Sequence, residues 1–229
     1  MIQCDLRPPQ SEQALLERAV ALSGHRLGDI AAAVAVSLPP DARRAKGWIG
    51  MLIEKALGAS AGSAAAPDFP DLGIELKTIP VRPDGRPFES TWVTRVPLVE
   101  GDGQFWQHSV VRQKLARVLW MPVQGDTSVD LAERRMGSPL LWSPDDEQGA
   151  RLRADFEDVM ELIVLGRVDE ITASLGDCLQ IRPKGADSRD RVDGVDGDGQ
   201  IVPVAPRGFY LRSSFTGEIL RRGFGLAER

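Results

Sequence analysis

Apolar residues recur at helical spacing three times in the first quarter of the chain, after which the period changes. Residues 11–22 place Ala14, Leu15, Ala19 and Leu22 on one face and stop at Gly24. A second helix is expected over 27–36, ended by "LPP". A third is expected over 47–57, with Gly58 as its exit into the small-residue connector "GASAGSAAAP". Strand-like runs follow at 73–79, 91–96 and 116–123, and "RPDGRP" between the first two is turn chemistry suited to a hairpin. A long helix is then predicted, with Ser143 as N-cap, Pro144 at N1 and Asp146 completing a capping box. Leu152, Phe156, Val159, Met160 and Ile163 form its stripe, and Gly166 stands at C′. Short strands at 178–181, 201–204 and 209–212 and a small helix at 215–220 complete the pattern.

The Gly- and Asp-rich stretch 190–200 suggests calcium, but the register fails. With Asp193 as position 1 of an EF-hand loop, the third, fifth and twelfth positions are Val195, Gly197 and Val204. It reads as a solvated loop tip.

At 229 residues, 42% of them hydrophobic, the chain can form one large domain or two lobes. Its longest apolar stretches, such as "IAAAVAV", fall well short of the roughly 20 residues of a membrane helix. The N-terminus lacks the pattern of a secretory signal. Two cysteines, Cys4 and Cys178, form no framework, so a reducing cytoplasmic setting with free thiols is expected. A net charge of −5 suits a protein that touches nucleic acid through a local basic surface better than one that coats it.

Elimination narrows the chemistry. With only His25 and His108, the chain cannot build a histidine-rich metal site or a His-Asn-His nuclease. It carries neither the G-x-S-x-G elbow nor the G-x-x-x-x-G-K-[ST] phosphate loop. Carboxylate and lysine remain. In "GIELKTIP", residues 73–80, Glu75 and Lys77 are two apart on a strand and share a face, while Ile74 and Leu76 take the other. Asp68 lies seven residues before Glu75, ahead of a "DLG" turn able to fold it alongside, which gives D-(x)6-E-x-K.

Two readings are open at this point. One is a half-buried strand with a charged outer face. The other is a nuclease site in which Asp68 and Glu75 ligate Mg²⁺, an ion that takes one or two carboxylates plus waters and phosphate at about 2.1 Å. Lys77 would then act on the attacking water or on the charge of the pentacovalent state. Glu54 on the third helix, Lys46 at its start and Lys114 beside Arg112, at the head of the "KLARVLWMPV" strand, are further charged candidates. Each taken singly is more often a solvated charge.

Longer blocks favour the second reading. "KGWIGMLIEKALGASAG", "DFPDLGIELKTIPV", "VRQKLARVLWMPV", "RRMGSPLLWSP" and "RPKGA…PRGFYLR" occur in that order, and from about residue 11 to the C-terminal helix the chain resembles the MutH family of mismatch-repair endonucleases. The resemblance implies a restriction-endonuclease-like α/β fold, with a mixed central sheet flanked by helices and two lobes around a DNA-binding cleft. The lobes are expected at about 11–125, with the metal site, and about 126–229, for DNA recognition. It further implies a monomer that uses Mg²⁺ to nick the unmethylated strand of hemimethylated GATC sites in double-stranded DNA. The activator would be MutL, after MutS has detected a mismatch.

Carried over by position, Asp68, Glu75 and Lys77 match the catalytic core, Glu54 a further acidic residue and Lys114 a lysine implicated in catalysis. Lys46 matches a lysine near the phosphate backbone. Arg182, Pro183 and Lys184 match a DNA-recognition loop, and Tyr210, the chain's one tyrosine, matches the residue that senses adenine methylation. Two alternatives stand beside this: a restriction-type endonuclease of the same fold that cuts both strands, and a DNA-binding repair protein that has lost catalysis. The presence of Asp68, Glu75 and Lys77 together disfavours the latter.

Overall fold

The structure, a computed structural model, describes residues 2–40, 45–62, 66–99, 105–172, 174–185 and 189–226, with the side chains of residues 45, 46 and 169 outside the description. It divides into two compact units, neither continuous in sequence. The first comprises Met1–Glu89, Ala116–Ser143 and Gly217–Arg229, and the second Ser90–Leu115 and Pro144–Thr216. The lobes expected from the sequence were continuous halves; here the chain leaves the first unit at Ser90 and returns at Ala116.

In the first unit, helices α1 (Glu12–Ala21), α2 (Leu27–Ala33) and α3 (Ala45–Leu57) precede strand β1 (Glu75–Val81). Ser11 caps α1 by accepting the Ala14 N–H. Helix α2 ends before the predicted residue 36 because Ala35 turns left-handed (φ 52°) and the Val36 N–H closes on the Ala31 carbonyl. Strand β1 pairs in parallel with β3 (Val118–Gln124), which pairs antiparallel with β4 (Leu140–Trp142). Leu76 of β1 and Leu119, Met121 and Val123 of β3 join one hydrophobic core with the three helices. That core occupies one face of the sheet, and Glu75 and Lys77 lie on the other.

The expected hairpin between β1 and β2 (Thr91–Arg95) does not form. The "RPDGRP" turn folds back only on the end of β1, through a Val81–Pro87 bridge and an Arg82 N–H bond to the Arg86 carbonyl. Parallel partners need a long crossover, and here 82–117 provide it, carrying the chain through the second unit on the way.

The second unit is built on an antiparallel sheet ordered β2-β8-β5, with β5 at Leu179–Pro183 and β8 at Arg207–Leu211. Helix α5 (Asp146–Val164) lays Leu152, Phe156, Val159, Met160 and Ile163 into its core, and Phe156 stacks on Phe209 at 5.4 Å between ring centres. Its capping box is Asp145 with Gln148, two residues beyond the one read from the sequence. Ser143 instead donates to the Ala116 carbonyl. Lys114 sits at the end of a short helix, α4 (Val110–Leu115), not at the head of a strand. The stretch read wholly as a loop tip contains β6 (Val192–Val195), which forms a hairpin with β7 (Ile201–Val204) around a turn tied by the Asp196 carboxylate. Helix α6 (Ser213–Gly223) closes the order of elements. Among the described residues, no helix is long and apolar enough to cross a membrane.

Candidate active site

The site begins with the turn before β1. Phe69 and Ile74 bond to each other through both backbone pairs, and Pro70–Leu72 forms a 3-10 turn between them. Gly73 closes it with φ 65°, a left-handed conformation that favours glycine. The turn brings Asp68 alongside the strand, where its Oδ2 accepts the Leu76 N–H at 2.8 Å. The Asp68 carbonyl in turn accepts from Ser60 and Ala61, tying the residue to the connector after α3. The folding-back expected from "DLG" is therefore present.

Glu75 is only 2% exposed, which rules out the reading of it as the outer charge of a half-buried strand. Lys77, its side chain 11% exposed, donates from Nζ to Glu75 Oε1 at 2.5 Å. Val118 and Trp120 stand opposite Glu75 and Lys77 in the β1–β3 register, and both are fully buried. With water excluded by these neighbours, the Glu75–Lys77 attraction is much stronger than that of a surface pair, and each charge offsets the desolvation cost of the other. Glu54 lies on α3, which packs against β1. A Cβ on Gly50 would stand at ordinary van der Waals distance from Glu54 Oε1 (3.8 Å) and Thr78 Oγ1 (3.9 Å), so both side chains lie beside Gly50.

Asp68 thus reaches β1 at Leu76 and Lys77 pairs with Glu75 there, while Glu54 stands on α3, which packs on the face of the sheet opposite Glu75 and Lys77. The Lys46 side chain lies outside the described residues. Among the described residues no three acidic, histidine or cysteine side chains come together as one metal-binding group. Two carboxylates completed by water and phosphate oxygens are nevertheless a normal Mg²⁺ shell, and the hard oxygen donors of Asp68 and Glu75 fit that chemistry.

The remaining expected residues belong to the second unit: Lys114 on α4, Arg182, Pro183 and Tyr210 on its sheet, and Lys184 just past β5. There Arg182 pairs with Gly208 and Gln180 with Tyr210. Side chains from one face of the sheet form a cluster of cations and rings. The Arg182 guanidinium lies 5.9 Å from the Tyr210 ring, the Lys184 ammonium 4.6 Å from the Trp92 ring, and Trp92 meets Tyr210 edge-on at 5.2 Å. Trp92, Gln180 and Gly208 are additions that the sequence reading missed. Gln180 bonds Ser90, and Gly208 lies beneath the indole, where a Cβ would come within 2.0 Å of Trp92. Alternation along β2 signals a paired strand but does not reveal that its partner is β8.

A mixed α/β fold with Asp, Glu and Lys gathered at the start of a sheet strand defines a restriction-endonuclease-like nuclease. A profile described as "DNA mismatch repair enzyme MutH" matches residues 57–155. The chain is 51% identical to the DNA mismatch repair protein MutH of Pectobacterium atrosepticum over 94% of each chain. It is 52% identical to that of Serratia proteamaculans over 95% of each, and 51% identical to that of Histophilus somni over 94% of this chain and 96% of the relative. The chain belongs to the MutH family and is an endodeoxyribonuclease of DNA mismatch repair.

Proposed function

We propose that the protein is a Mg²⁺-dependent nickase that cuts the unmethylated strand of hemimethylated GATC sites as a monomer, stimulated by MutL after MutS has detected a mismatch. The observation that carries the catalytic part is the Asp68–Leu76 hydrogen bond, which fixes a carboxylate beside the Glu75–Lys77 pair. Asp68 and Glu75 would hold the ion, which when bound supplies Lewis-acid polarisation of the scissile phosphate. Lys77 presents its ammonium to the attacking water and offsets charge as the phosphorus becomes five-coordinate. Glu54 and Lys114 assist, and Lys46 contacts the phosphate backbone.

Sequence is read from the second unit. Arg182 and Lys184 suit guanine O6 and N7 or phosphate oxygens, with Pro183 shaping the strand end between them. Tyr210 faces the adenine edge, where a methyl on N6 alters the major-groove surface.

The test uses duplexes with one GATC site, unmethylated, hemimethylated or fully methylated, incubated with Mg²⁺ and the wild type or Glu75→Ala. The expected result is a nick confined to the unmethylated strand and reduced at least about a hundred-fold in the variant. Equal cleavage of both strands would assign a restriction-type activity instead. Wild-type rates in Glu75→Ala would remove the strand from the chemistry altogether.

A further inference from the structure

Asp155 is a buried carboxylate with no part in the chemistry above. It lies mid-way along α5, within the apolar stripe between Leu152 and Phe156, and is 7% exposed. Asp is a poor residue for a helix interior, and an apolar side chain would complete the stripe. A buried carboxylate is tolerated only when its oxygens are well bonded. Those of Asp155 accept from three successive backbone N–H groups: Asp177 at 2.9 Å, Cys178 at 2.6 Å and Leu179 at 2.8 Å.

These N–H groups belong to the turn that delivers the chain into β5. The turn is tight: Gly176 has φ 82°, and a Cβ there would lie 2.1 Å from the Leu179 carbonyl oxygen. Arg212, directly after β8, grips the same turn. Its guanidinium donates to the carbonyls of Gly176 and Leu175, and its backbone N–H to that of Cys178. The first residue of β5 is thereby tied both to α5 and to the end of β8. That tie sets a register running from Leu179 opposite Leu211 to Arg182 opposite Gly208. A slip of one residue would turn every side chain over. Arg182 would leave the face it shares with Tyr210 for the one where Phe209 meets Phe156.

We propose that Asp155 is a positioning residue for DNA recognition: through the 177–179 amides it holds β5 in the register that presents Arg182 and Lys184, and so sets sequence discrimination without touching DNA. This rests on the reading of Arg182 and Lys184 as DNA contacts.

The experiment compares wild type, Asp155→Asn, Asp155→Glu and Arg182→Ala by thermal unfolding, by kcat and KM for nicking, and by the ratio of cognate to non-cognate duplex affinity. Asn keeps the shape but turns an amide donor toward N–H groups. KM is expected to rise and discrimination to fall by roughly ten-fold, within the range set by one base contact, with kcat changing far less. Glu retains the carboxylate one methylene further out, and a smaller change of the same kind is expected. If Asp155→Asn fails to fold, Asp155→Glu carries the test alone. Folded Asp155 variants with wild-type KM and discrimination, altered only in melting temperature, would overturn the proposal. Loss of discrimination in Arg182→Ala alongside such a result removes the role of Asp155 only. Unchanged discrimination in Arg182→Ala removes the reading of β5 on which it rests.

Discussion

Glu75 and Lys77 are each other's counter-charge in a place where water has little access. Removing one charge of this buried pair costs about 3–5 kcal/mol, whereas an uncharged pair of similar shape can fold nearly as well. Lys77→Ala is therefore expected to lower the urea midpoint strongly, and the double variant Glu75→Gln/Lys77→Met far less. Equal losses from the single and double variants would mean that the ion pair is not what stabilises this strand. The comparison also protects the nicking assay from misreading, because activity lost in the double variant is lost from a protein that still folds.

The sheet of the second unit presents its charged and aromatic residues through the pairing of whole strands. Trp92 of β2 lies across Gly208 of β8, and Lys184, just past β5, reaches the same indole. Gly208→Ala inserts a Cβ where the ring now lies and forces Trp92 aside, an overpacking cost of about 1–3 kcal/mol. DNA affinity is expected to fall in this variant while hydrolysis at saturating DNA is kept. Unchanged affinity would show that the position of Trp92 is immaterial to binding.

This layer was the less legible part of the sequence. The Asp68 turn, β1 and the stripe of α5 could be read because each is set by local chemistry: a glycine turn, a period of two and a period of 3.6. The pairing of β1 with β3 in place of β2 is decided by a partner 43 residues from Glu75, Val118, and no local signal carries it. The end of helix α4, Lys114 and Leu115, was read as the head of the following strand because no glycine or proline separates it from the apolar run that begins at Val118. The clue was Ser109, whose hydroxyl accepts the Arg112 N–H three residues on, as a helix start requires. Asp155 was passed over because its partners are backbone amides more than 20 residues away.

At the scale of the whole molecule, 33 acidic residues outnumber 28 basic ones, a net charge of −5 on an enzyme whose substrate is a polyanion. General attraction between the two is therefore weak, and binding must come from a limited set of placed cations. The consequence is measurable as salt dependence. The logarithm of the DNA association constant falls with the logarithm of salt concentration by about 0.9 per phosphate neutralised. A small slope is expected here, because few side chains supply the contacts. On the reading of Lys184, whose ammonium lies over Trp92, as a phosphate contact, Lys184→Ala is expected to weaken cognate and non-cognate binding alike and to reduce the slope by about 1. Arg182→Ala, by contrast, is expected to leave much of the slope and remove discrimination, as a guanidinium reading a base edge would. Titrations of both variants between low and high salt separate these roles. If each variant alters the slope and neither alters discrimination, β5 positions the backbone, and sequence is read elsewhere in the chain.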